Sequence, residues 1–180
     1  MPSDSAGDDV LVIGYGNPGR QDDGLGPAAV EALRPLGLPG VAFDADYQLT
    51  VEDAAAVAEH ETVVFVDADL AGPEPFWFRA VEPKAELGFS SHGCEPPAVM
   101  ALAKELFGAA TKGYVLGIRG YEFGEIAEGL SARAQANLED ACEFLAGVLA
   151  GREFDNACRQ FRNGPAGGAK GNGLCKTGNT

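Results

Sequence analysis

The sequence predicts an α/β fold of three layers, a mostly parallel twisted sheet with helices on both faces. Three observations predict it. Short apolar runs alternate with helical stretches from Val10 to about residue 150. The runs are apolar throughout, as in strands buried on both faces. Hydrophobic residues make up 46% of the 180 and charged residues 22%, so one domain can build its core without metals or disulfides.

The elements follow in order. Val10 to Tyr15, VLVIGY, reads as the first buried strand. Leu25, Ala29, Ala32 and Leu33 share one face of a helix over 25–36, with Pro35 near its end. Val41 to Ala45 reads as the second strand. Thr50 and Asp53 approach a capping box for a short alanine-rich helix, Val51 to Glu59. Thr62 to Val66 is a third apolar strand, closed by Asp67. Phe76 to Val81 alternates loosely, as an edge strand or hairpin arm does, and Trp77 with its neighbours Phe76 and Phe78 reads as core ahead of a partner-contact patch. Glu82 to Glu95 is irregular. Pro96 and Pro97 open a helix to Phe107, which Gly108 closes. Tyr114 to Ile118 is a further buried strand, followed by a glycine-rich loop over 120–130. Ser131 caps the last helix, whose stripe is Leu138, Cys142, Leu145 and Leu149. The domain is therefore expected over 10–150, with a disordered N-terminus over 1–9. The tail over 151–180 holds five Lys or Arg residues against two acids and is rich in Gly and Asn from Asn163, so it is expected to be disordered.

Charge and cysteine usage narrow the function. A net charge of −14 repels nucleic acid and anionic membrane surfaces and attracts cations or basic segments. No apolar run reaches the roughly eighteen residues that cross a bilayer. Met1 to Asp9 lacks the basic and apolar regions of a signal peptide, so a cytoplasmic location is expected. The four cysteines, Cys94, Cys142, Cys158 and Cys175, form no CxxC pair and are expected as thiols.

Ligands of parallel α/β sheets bind beyond the carboxyl ends of the strands, and acids recur there. Asp22 and Asp23 follow the first strand, Asp44 and Asp46 the second, Asp67 and Asp69 the third. Gly14, Gly16 and Gly19 match the GxGxxG pattern of dinucleotide-binding proteins, with Asp44 near the place of a ribose-binding acid. Two carboxylates near the following helix N-terminus oppose a pyrophosphate there. The alternative is a metal-recognition site of two carboxylates and an imidazole, Asp23, Asp67 and His92, a set suited to nickel, zinc, manganese or iron with positions left open. No HExxH or GxSxG sequence is present.

Three segments carry a resemblance. GYGNPGRQDDGLG at 14–26, VVFVDAD at 63–69 and Ser91-His92 ahead of a helix resemble, in order and spacing, the three motifs of the hydrogenase maturation endopeptidases. Asp23 stands where that family often has Glu. The resemblance spans about residues 10–150. It implies a phosphorylase/hydrolase-like fold and an endopeptidase that removes a C-terminal peptide from the large-subunit precursor of a nickel–iron hydrogenase after nickel insertion. Asp23, Asp67 and His92 would recognise the nickel, carried by the substrate, or another divalent metal, and serve the hydrolysis. Catalysis by the metal and general-base catalysis by Asp23 or Asp67 both remain open. The rival readings are a dinucleotide-binding oxidoreductase and a non-catalytic nickel chaperone. His60 reads as structural, Asp22 as a cap or solvated neighbour, Asp44 and Asp46 as supporting, and Cys94 as a small buried residue.

Overall fold

A computed structural model describes residues 9–84, 94–124 and 126–162. In chain order the elements are β1 (Val10–Tyr15), α1 (Leu25–Leu33), β2 (Val41–Asp46), α2 (Asp53–Ala58), β3 (Thr62–Asp69), β4 (Phe76–Val81), α3 (Pro96–Phe107), β5 (Lys112–Arg119), α4 (Ala132–Gly151) and α5 (Phe154–Arg162). Short 3-10 turns cover Gln21–Gly24 and Arg34–Leu36. The sheet order is β2-β1-β3-β5-β4, parallel except for β4, which runs antiparallel to β5 at the edge. This is the α/β architecture read from the sequence.

Alternation along each strand divides the core in two. Val10, Val12, Val64, Val66, Leu116 and Ile118 face α1, α4 and α5, whereas Leu11, Ile13, Val63 and Phe65 face α2 and α3. Val12, Val64, Val66, Phe65 and Leu116 are fully buried, each such side chain contributing on the order of 2 kcal/mol. Gly14 lies within β1 rather than in a turn. A side chain there would strike the backbone of Gly26, and one at Gly26 would strike the carbonyls of Tyr15 and Val66. The start of α1 therefore packs directly on the strand ends.

Local chemistry sets the boundaries. Ser131 Oγ accepts from the Ala134 amide at 3.2 Å and starts α4. Gly108, at φ 65°, closes α3 as expected. Asp53 accepts from the Thr50 amide at 2.6 Å, one half of the expected capping box, and α2 begins only at Asp53. β3 runs beyond Val66 because its ladder with β5 continues through Asp67↔Gly117 to Asp69↔Arg119. β4 alternates more strictly than expected. Phe78 is buried and Phe76 packs beside Phe144 and Phe161, whereas Trp77 and Arg79 point to the opposite face. Trp77 is thus half-buried and outside the core.

The expectation of a disordered tail from residue 151 is corrected for residues 154–162. Phe154, Ala157 and Cys158 are buried, and Phe161 shares their face at helical spacing. Phe154 stacks on Tyr114 with ring centroids 5.2 Å apart, and Tyr114 Oη donates to Asp155 at 2.7 Å. Apolar spacing at 154, 157, 158 and 161 outweighs the polar composition of the stretch. The remaining tail, 163–180, and residues 1–8 lie outside the described residues.

No helix among the described residues is long and apolar enough to cross a membrane. We expect Phe154→Ala to lower unfolding free energy by about 3 kcal/mol. Urea unfolding checks this, since an unpacked tail would leave the midpoint unchanged.

Candidate functional site

The chain crosses from β1 to β2 on one side and back to β3 on the other, so a crevice opens where β1 and β3 diverge. The β1–β3 ladder ends at Gly14↔Val66. Asp67, the next residue of β3, keeps its partner in β5 but has none in β1. A carboxylate thus stands in the fork of the sheet. It accepts the Ala68 amide at 2.7 Å and the Tyr15 hydroxyl.

Burial lifts the Asp67 carboxyl to about 6. The hydrogen bonds from Tyr15 and Ala68 oppose that rise, and the charges of Asp23 and Asp69 reinforce it. Tyr15 is pushed up by burial and by the same carboxylate, so it stays a hydrogen-bond donor. Asp23 sits in the turn Gln21–Gly24, half-buried, and accepts the Asn17 amide at 3.1 Å. Asp23 and Asp67 are close enough for the charge of one to act on the other.

Asp67 also lines a cleft of about 740 Å³, together with Tyr15, Trp77, Arg79, Cys94 and Gly117. Asp23 does not line it. Cys94 is half-buried in the wall rather than fully enclosed, its amide donating to Leu49 O at 3.1 Å. His92, two residues before it, lies outside the described residues. Among the described residues no group of three His, Cys, Asp or Glu side chains is placed to hold a metal. The expected trio is therefore represented here by its two carboxylates alone.

Asp22 differs from the sequence reading. It is fully buried, neither a helix cap nor solvated. It accepts the amides of Tyr121 at 2.8 Å, Glu122 at 2.9 Å and Ser131 at 2.7 Å, and the Ser131 hydroxyl at 2.8 Å. Those donors overcome desolvation and hold the carboxyl below the usual range. Its partners lie about a hundred residues away, so no local pattern marks them. Asp69 is likewise occupied, accepting from Ala71, Gly72 and the Trp77 indole. Asp44 and Asp46 are exposed, and among the described residues their carboxylates accept the amides of Ala45 and Tyr47. His60 sits past the end of α2, Nδ1 2.7 Å from Ala56 O, in the structural role expected.

The dinucleotide pattern lacks its setting. The turn Gln21–Gly24 intervenes between the loop and α1, and the start of α1 abuts the Tyr15 and Val66 carbonyls instead of opening toward a phosphate.

No protein-family model matches the chain, and no curated protein matches it. Solved structures do. HycI, a NiFe hydrogenase maturation protease from Thermococcus kodakarensis KOD1, is 26% identical, with 81% of this chain and 94% of that one covered and a TM-score of 0.61. The hydrogenase maturating endopeptidase HybD from E. coli is 22% identical over 80% of this chain and 93% of its own, with a TM-score of 0.61. An E. coli endopeptidase is 21% identical over 81% and 94%, with a TM-score of 0.62. The family that the three sequence segments resemble is the family of the first two of these structural neighbours.

Two stability outcomes separate the aspartates. The folded pKa of Asp67 lies above its unfolded value, so its ionisation destabilises the fold as pH rises from about 4 through 6. We expect Asp67→Asn to stabilise the metal-free protein by about 2 kcal/mol at pH 8, with the gain vanishing below pH ~4. Asp22 carries the opposite sign, its contribution being present at neutral pH and lost in acid. Asp22→Asn should cost about 3 kcal/mol at pH 8. Thermal unfolding of both variants across pH checks the pair.

Proposed function

We propose that the chain is a maturation endopeptidase that removes the C-terminal peptide of a nickel–iron hydrogenase large-subunit precursor, acting once nickel is in place. The observation that carries this reading is Asp67. It is a carboxylate in the fork of the sheet, raised to about 6, beside a second carboxylate and in the wall of a cleft with room for an extended peptide. The shared fold of the maturation proteases supports the same reading.

The chemistry follows from the placement. Isolated burial of an ionised carboxyl is costly. A cation brought alongside Asp67 and Asp23 relieves that cost and favours the ionised form of Asp67. The site therefore favours a precursor that presents a metal over one that does not. Nickel is here part of the substrate, arriving with the chain to be cut, and His92 would supply the imidazole of the set. Recognition through these ligands holds the neighbouring peptide bond still, which turns binding into positioning. Metal polarisation of the scissile carbonyl and proton abstraction from water by Asp67 remain the two routes to hydrolysis.

The test is to incubate the protein with nickel-loaded and nickel-free precursor and follow intact mass. We expect a C-terminal peptide to leave only the loaded form. Asp67→Asn, Asp23→Asn and His92→Ala should each slow processing by at least ~100-fold, about 3 kcal/mol of transition-state stabilisation, with circular dichroism unchanged. Equal cutting of both precursors would defeat the metal-guided reading. A loaded precursor that binds and stays intact would favour the chaperone.

A further inference from the structure

Trp77 and Arg79 lie on the face of β4 opposite Phe78, along the cleft that begins at Asp67. The indole is held in one pose. Its Nε1 donates to Asp69, and that carboxylate is itself fixed by the amides of Ala71 and Gly72, each at 2.9 Å. The ring lies over Gly117, its partner in β5, and any side chain there would collide with it. Arg79 stacks its guanidinium on the indole, 4.7 Å from the ring centroid.

Such stacking leaves the edge of the guanidinium free to donate hydrogen bonds. Ion pairs among the described residues join Lys112 to Asp155 and Arg133 to Glu74, and none involves Arg79. An arginine pre-placed on a fixed aromatic ring, exposed in a cleft and unpaired among the described residues, is built for an external carboxylate. The net charge of the chain is −14, so attraction to acids is not a general property of its surface.

We infer that Trp77 and Arg79 form a subsite for an acidic side chain of an extended peptide lying in the cleft. Identifying that peptide with the hydrogenase precursor rests on the proposed function; the subsite itself does not. Register gives the distance. Asp67, Gly117 and Trp77 stand in one row across three strands, so Trp77 is roughly 10 Å from Asp67, and Arg79 is about 7 Å further along its strand. The acid bound would then lie within about four residues of the bond cut beside Asp67. Arg79 is a specificity-determining residue on this account, and Asp69 a positioning residue that acts through Trp77.

Trp77 is the only tryptophan in the chain, so its emission reports on the subsite directly. The probe is an acetylated, amidated alanine hexapeptide with one central Glu, compared with its Gln and Lys counterparts. We expect a saturable change in Trp77 emission with the Glu peptide and about tenfold weaker binding of the Gln and Lys peptides, a difference of about 1.4 kcal/mol. Arg79→Gln should remove the preference, and Arg79→Lys should retain part of it. Equal responses to all three peptides would overturn the subsite. A second arm uses the nickel-loaded precursor, where Arg79→Glu should raise KM about tenfold with kcat within about twofold. Unchanged KM with active wild type overturns the subsite's role in processing. A wild type that binds the Glu peptide selectively and cuts nothing overturns the peptidase reading and leaves the subsite standing.

Discussion

One buried carboxylate organises the site end of this fold. Asp22, closed off from water, gathers the amides of Tyr121, Glu122 and Ser131 and the Ser131 hydroxyl around its two oxygens. An ionised group without water survives only with such compensation, and here backbone dipoles supply it in place of a counter-cation. Ser131 also caps α4, so one aspartate links the loop after β1, the loop after β5 and the start of the longest helix. Asp23 follows in the same turn and inherits its position from that link.

The contrast with Asp67 is instructive, because both residues are aspartates drawn into the protein near one fork of the sheet. Each suffers desolvation. Four donors reverse its effect at Asp22, while two, with like charges nearby, fail to do so at Asp67. The count and geometry of donors, not depth alone, separate a carboxylate that holds the fold from one left available for proton or cation chemistry. At Asp67 the ionised form costs the fold stability, because its carboxyl is raised to about 6 by burial.

Much of this was legible in the residues. VLVIGY reads as β1 with the observed limits because a continuous apolar run ending in Gly-Tyr has few other homes. Pro96-Pro97 and Gly108 bound α3 through backbone constraints that act locally. The strand-end rule pointed to Asp67 and Asp23, and the structure places both beside the fork where β1 and β3 part. Less visible were features that depend on residues far apart. Asp22 looks like its neighbour Asp23 in sequence, and only a loop a hundred residues on distinguishes them. Trp77 looked like core because Phe76 and Phe78 flank it, yet strand alternation sends it to the other face, where Gly117 admits the ring. α5 was hidden by the composition of its surroundings, although its four apolar positions carry the helical period.

α5 has a consequence for the behaviour of the protein in solution. β4 ends the sheet, and a terminal strand offers unpaired amides and carbonyls to any other chain that can extend the ladder. α5 packs along β4, and the Cys158 sulfur accepts the Ala80 amide. The helix thus acts as a guard against aggregation, occupying a position where intermolecular β-pairing would begin. Damage to it would surface first as turbidity and self-association.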